Sequence, residues 1–172
     1  MTNSKRYTNQ TFTKRVDHEG GSHRPFKSIP EPAVCGKCGS IYENRRWSLK
    51  TAAGGDKKHD HWRPAATITC PACLQIERGS VGGYLALSGK FFIDHQDEIM
   101  QLLKHEANGA AEDNPLSRVM RYLPSEGRMI VETTTEHLAQ RMGHAVEKAY
   151  DGHVSYDFSH ENKVARVDWH RD

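Results

Sequence analysis

This sequence predicts an α+β protein in which a four-cysteine zinc ribbon precedes a β-α-β-β-α-β-β two-layer sandwich. Three observations predict it. All four cysteines fall in two C-x-x-C pairs, Cys35/Cys38 and Cys70/Cys73. Two later segments carry apolar residues at helical spacing, among them Ile99, Leu102 and Leu103 in one and Leu138, Met142, Ala145, Val146 and Ala149 in the other. Around them lie short runs that alternate apolar and polar residues, such as Val154/Tyr156/Phe158 and Ala165/Val167/Trp169.

The cysteine pairs point to a metal. Two thiolates spaced by two residues reach one ion from a tight turn, and two such pairs supply the tetrahedral, soft, closed donor set of a structural Zn²⁺ site. Cys35-Gly36-Lys37-Cys38-Gly39 has glycines where a knuckle must turn sharply. In Cys70-Pro71-Ala72-Cys73 the proline fixes φ in the second turn. The interval between Cys38 and Cys70 holds 31 residues, longer than the roughly 15–20 of a compact site, which reads as a ribbon with an enlarged loop. His59 and His61 lie in that loop and could replace a cysteine. The competing use of C-x-x-C is thiol redox chemistry, which needs a helix N-terminus. Neither pair reads as opening a helix, since strand- or loop-like residues follow both. A disulfide framework is a third use. Met1 to Gln10 is polar, with no apolar leader, so the expectation is a reducing, cytoplasmic setting.

The chain has 172 residues, 36% of them hydrophobic, enough for one moderate domain or two small ones. No apolar stretch approaches the roughly 20 residues of a membrane helix, so no membrane is expected as partner. Charge is uneven. Residues 1–34 carry 6 Lys/Arg against 3 Asp/Glu, residues 35–78 carry 8 against 4, and residues 79–172 carry 10 against 15. A basic front on an acidic back suggests that the front meets a polyanion.

Residues 1–32 are polar, basic and punctuated by Gly20-Gly21-Ser22 and Ile29-Pro30. They read as a disordered basic arm. Residues 33–80 form the zinc-ribbon module with its long basic loop, and Ile41-Tyr42 and Thr67-Ile68-Thr69 read as short strands. Between these runs lie Arg45, Arg46, Trp47, Lys50, Lys57, Lys58, Trp62 and Arg63. Cations hold phosphates and aromatic rings stack on unpaired bases, so these eight are the candidate RNA-binding residues. The alternative for Trp47 and Trp62 is that they cover the small ribbon core.

Residues 81–172 read as the sandwich domain. Val81 to Leu87 is its first strand, and a helix begins at Asp94 and ends or weakens at Asn108-Gly109. Arg118 to Leu123 and Arg128 to Thr133 form a hairpin over Pro124-Ser125-Glu126-Gly127. Thr133-x-x-Glu136 reads as a capping box for the second helix, which Gly152 ends. The last two strands follow. Such an order packs two helices on one face of a mainly antiparallel sheet. Nothing here predicts an active site. There is no phosphate loop of the P-loop or dinucleotide type and no serine elbow, and zinc would leave no free cysteine. No enzyme activity and no small-molecule substrate are expected. His137 and His144, seven apart on the second helix, read as exposed helix histidines.

Several passages carry a family resemblance. Cys35-Gly-Lys-Cys-Gly39, Cys70-Pro-Ala-Cys73, Gly83-Tyr-Leu-Ala-Leu87, Ile99-Met-Gln-Leu-Leu103 and above all Val131-Glu-Thr-Thr-Thr-Glu-His-Leu-Ala-Gln-Arg-Met-Gly143 resemble, in that order, the zinc-binding and central domains of the export-adaptor family of the large ribosomal subunit (the nonsense-mediated-decay protein three family). The chain departs from that family in having fewer cysteines, no C-terminal barrel-like domain and no nuclear-export tail, as a shortened bacterial relative would. The resemblance implies contact with ribosomal RNA or the ribosome and with a basic ribosomal protein. Only the four zinc ligands carry over as residues. The expected function is therefore a non-enzymatic, zinc-binding, ribosome- or RNA-associated factor, with assembly, quality control and stress silencing left open. A zinc-ribbon DNA-binding regulator and a C-x-x-C thiol oxidoreductase are the alternatives.

Overall fold

The computed structural model describes residues 28–49, 63–159 and 164–172. Within them the protein is α+β, with two mixed sheets and four helices. The expected arm at 1–32 lies outside these residues but for its last five, and Lys50, Lys57, Lys58 and Trp62 lie outside them entirely.

The first sheet comprises β1 (Ala33–Cys35), β2 (Ile41–Glu43), β3 (Arg46–Ser48) and β4 (Ala66–Ile68) in the order β3-β2-β1-β4. β1 runs antiparallel to β2 and parallel to β4. Three-residue strands bury little by themselves. Their core is a small cluster of Ala33, Tyr42, Trp47, Ala72 and the sulfurs. Trp47 is 1% exposed and its ring tilts against Tyr42 with centroids 5.2 Å apart. The two cysteine pairs are built differently. The first is a knuckle between β1 and β2, where Gly39, at φ +75°, donates its amide to Cys35 O at 2.9 Å. The second opens a helix, α1 (Pro71–Arg78), against the expectation that neither pair does. Cys70 is its N-cap and accepts from Cys73 N, Pro71 occupies the first turn, and Gly79 closes it in the left-handed region.

The second sheet holds β5 (Gly83–Ser88), β6 (Val119–Ser125), β7 (Arg128–Thr133), β8 (His153–Ser159) and β9 (Val164–His170) in the order β6-β7-β5-β9-β8. The central pair β5/β9 is parallel and the other three pairings are antiparallel, so the sheet is mixed but mainly antiparallel, as expected. α2 (Lys90–Asp94), α3 (Gln96–Asp113) and α4 (Glu136–Tyr150) accompany it. Leu85, Leu87, Val131, Val167 and Trp169 from the strands meet Ile99, Leu103, Leu138, Met142 and Val146 from the helices in one buried core. Burial of this apolar face holds the layers together.

Three helix boundaries differ from expectation, the first being that Asp94 ends the short α2 and the following helix, α3, starts at Gln96. α3 runs through Asn108-Gly109 because it is tied to α4 on both sides of that pair. Arg141 Nε donates to Glu106 at 2.8 Å, and Arg141 Nη1 to Asp113 at 3.2 Å. The cap of α4 is Thr135, whose hydroxyl accepts from Leu138 N, while Thr133 stays in β7 and Glu136 is the first helical residue. The N-cap thus lies two residues later than expected, and with Leu138 three residues on there is no capping box.

Candidate metal centre

The four cysteines lie far apart in sequence and meet at the junction of β1, the knuckle and α1. Their sulfurs all fall within 4.8 Å of one another, and three of the four residues are buried. Cys35 Sγ is 3.8 Å from Cys73 Sγ, and Cys38 Sγ is 3.7 Å from Cys70 Sγ. These distances discriminate. A disulfide would bring two sulfurs to about 2.05 Å. A regular tetrahedron of sulfurs about 2.3 Å from a central ion has edges of about 3.8 Å. The cluster therefore has the size and donor chemistry of a four-thiolate metal site and could hold one ion. Both short contacts join one C-x-x-C pair to the other, whereas a redox dithiol works within one pair.

The surroundings act unequally on the four sulfurs. Cys70 N donates to Cys35 Sγ at 3.3 Å and Cys73 N to Cys70 Sγ at 3.4 Å. The N-terminus of α1 faces the same group. Cys38 is pulled down to about 3, first because Cys70 hydrogen-bonds to it and then because Ser40 does, at 3.2 Å. Its partner Cys70 is pushed well up, because its proton is held against Cys38 and because it is buried. Burial pushes Cys73 up to about 11. Without metal, then, Cys70 and Cys73 keep their protons at neutral pH, and an arriving cation must displace them. Metal affinity rises with pH and falls on acidification as the sulfurs are reprotonated. We expect the logarithm of the apparent affinity, measured by competition with a chromogenic chelator, to rise with pH with a slope above one. A pH-independent affinity would contradict thiolate ligation.

Of the candidate RNA-binding residues, Arg45 is exposed on the turn between β2 and β3, Arg46 is exposed at the start of β3, and Arg63 is exposed ahead of β4. Asn44 and Arg45 take positive φ there, at 53° and 61°, and Arg45 N donates to Glu31 Oε2 at 3.4 Å. Trp47 belongs to the ribbon core and presents no free ring face to a base. Its buried Nε1 has no hydrogen-bond partner among the described residues. A groove of about 210 Å³ beside it is lined by Ser28, Ile29, Pro30, Ile68, Thr69, Pro71 and Leu74, none of them titratable.

Four residues in and around the centre, Arg118, Ser40, Gln75 and Thr134, escaped sequence reasoning. Arg118 Nη1 donates towards Cys73 Sγ at 3.8 Å and its Nη2 to Ser40 Oγ at 3.2 Å. Gln75 Nε2 donates to Thr134 O at 2.9 Å. Burial works against the Arg118 charge, but the neighbouring sulfurs outweigh it and hold the guanidinium more firmly protonated than usual. Elsewhere, Tyr156 Oη lies 2.9 Å from His144 Nδ1 and donates to Glu147 at 3.4 Å. Burial first, and then the Glu147 charge, push its phenol up, so it stays protonated.

No family model, curated protein or solved structure matches this chain. No helix among the described residues is long and apolar enough to cross a membrane.

Proposed function

We propose that this chain is a non-enzymatic zinc-binding factor that associates with RNA, and in the cell with the ribosome. The observation that carries the reading is the sulfur cluster at tetrahedral-edge distances inside a basic module. Zn²⁺ is the ion that suits four thiolates in a closed, structural setting. Cys35, Cys38, Cys70 and Cys73 hold it, and it supplies cross-linking of the module. Arg45, Arg46 and Arg63 are exposed on that module, and with Lys50, Lys57 and Lys58 they make six cations for phosphate contacts. The resemblance to the ribosomal export-adaptor family supports the same partner. The acidic sandwich suits a basic ribosomal protein.

The thiol-redox reading has one observation in its favour, the helix N-terminus at Cys70. The cross-pair sulfur contacts oppose it. A DNA-reading role would need a helix rich in groove-facing polar cations. α1 exposes Ile76, Glu77 and Arg78 only, and Glu77 pairs with Lys37.

Sedimentation of the endogenous protein through a sucrose gradient, with and without prior RNase, tests the reading. Co-migration with a ribosomal particle that RNase abolishes is expected, and a protein that stays at the top in low salt would overturn it. In vitro, six phosphate contacts on a single strand give a slope of roughly −4 for log K against log salt. A flat salt profile would show that phosphates are not what the module binds.

A further inference from the structure

Arg118 stands 45 residues beyond Cys73 in the chain, at the entry to β6, yet it is the side chain that faces the sulfurs from the sandwich side. Its guanidinium is held at three points. Nε donates to Pro115 O at 2.6 Å, Nη1 to Cys73 Sγ at 3.8 Å, and Nη2 to Ser40 Oγ at 3.2 Å. Ser40 Oγ in turn lies 3.2 Å from Cys38 Sγ. The Arg118 backbone is fixed as well, with its N–H donating to Thr134 Oγ1 at 2.8 Å and its O accepting from Thr134 N at 2.9 Å. Thr134 O accepts from Gln75 on α1, the helix that Cys70 opens. The contacts thus close a ring that runs from Cys73 along α1 to Gln75, across to Thr134, and through Arg118 back to Cys73. Leu116 reinforces it by packing in the ribbon's core cluster rather than the sandwich's.

Charge gives this ring a direction. Four thiolates around a dication carry two negative charges that the metal does not neutralise, and a guanidinium forms its strongest hydrogen bonds to ionised acceptors. When the metal leaves, nothing gathers the four sulfurs at one point, and Arg118 loses the fixed acceptor at Cys73 on which its fork is seated. We propose that Arg118 completes the metal centre from the sandwich side, so that the seating of the sandwich on the ribbon depends on metal occupancy. The proposal rests on the reading of the four sulfurs as a zinc site. Arg118 is a positioning residue. It acts through Cys73 and Ser40 and does not ligate.

Zinc-loaded full-length chain tests it, with two readouts. The first is the rate of zinc transfer to a chromogenic chelator. The second is amide hydrogen exchange over 116–119 and 133–136, with and without zinc. In the wild type, removing zinc should speed exchange in these two stretches about tenfold while β5 and β9 stay protected. Arg118→Met should still bind one zinc per chain but surrender it about tenfold faster, with fast exchange at both stretches even when loaded. Arg118→Lys, which keeps the charge without the fork, should fall between. Arg121→Met should surrender zinc at the wild-type rate, since Arg121 pairs with Glu132 rather than with the cluster. Equal zinc-transfer rates in Arg118→Met and wild type, or exchange at 116–119 and 133–136 that ignores zinc, would overturn the proposal. Should Arg118→Met fail to fold, the wild-type exchange comparison and Arg118→Lys decide. A wild-type chain that holds no zinc would overturn the zinc reading itself. A zinc-bearing wild type with an indifferent Arg118 would overturn only this step.

Discussion

Cys70→Ser should abolish metal binding and unfold residues 33–49 and 63–80, leaving the core of the larger sheet intact. Two losses coincide at this position. Cys70 is one of the four proposed ligands, and structural zinc sites contribute apparent free energies of about 10–16 kcal/mol in zinc-finger peptides. It is also the N-cap of α1, accepting from Cys73 N. The ribbon has no reserve, because its strands are three residues long and its core cluster includes the sulfurs themselves. The larger sheet keeps a core that contains no ribbon residue. Metal content should fall from about one ion per chain to near zero. Loss of exchange protection should cover 33–49 and 63–80, extend to the Leu116–Arg118 and Thr134 contacts, and stop short of β5 and β9. Collapse of protection in β5 and β9 as well would show that the two sheets fold only together.

Trp169→Ala should have the opposite footprint. Trp169 is fully buried on β9, donates Nε1 to Asp151 O at 2.7 Å, and lies edge-on to Phe91 with centroids 6.3 Å apart. Removing an indole from such a site costs about 3–5 kcal/mol, a large share of the 5–15 kcal/mol of a typical domain. The urea midpoint of the larger unit should drop accordingly. The zinc site should survive, because no ligand packs in the Trp169 cluster. A shift of under 1 kcal/mol would mean that the indole is not the core element its burial indicates.

What the sequence disclosed, and what it did not, follows from how local each signal is. The ligand set was legible because C-x-x-C spacing is a local constraint that a tetrahedral ion imposes, and all four sulfurs do converge. The second helix of the sandwich and the final hairpin were legible from long, clean periodicities. The helix at Pro71–Arg78 was missed although proline at a helix start after a capping residue is itself a signal. Pro71 was read as fixing a knuckle turn because the first pair is one. Thr133, Thr134 and Thr135 are equivalent as capping residues by type, and only the end of the β5 pairing selects Thr135. The continuation of α3 past Gly109 depends on Arg141, 32 residues away, and propensity cannot show such tertiary support. The parallel pairing of β5 with β9 is a long-range fact of the same kind. Arg118 is the plainest case. In sequence it is one arginine at the start of a strand, and only the fold sets it against sulfurs contributed from 45 residues away.

The most direct measurement is the metal content of the purified full-length chain by elemental analysis, paired with its intact mass under non-denaturing conditions. One zinc per chain, lost on treatment with a thiol-reactive mercurial, is the result this arrangement of sulfurs predicts. A metal-free chain whose mass is lower by two hydrogens for each disulfide would contradict it, and would return the two C-x-x-C pairs to thiol chemistry.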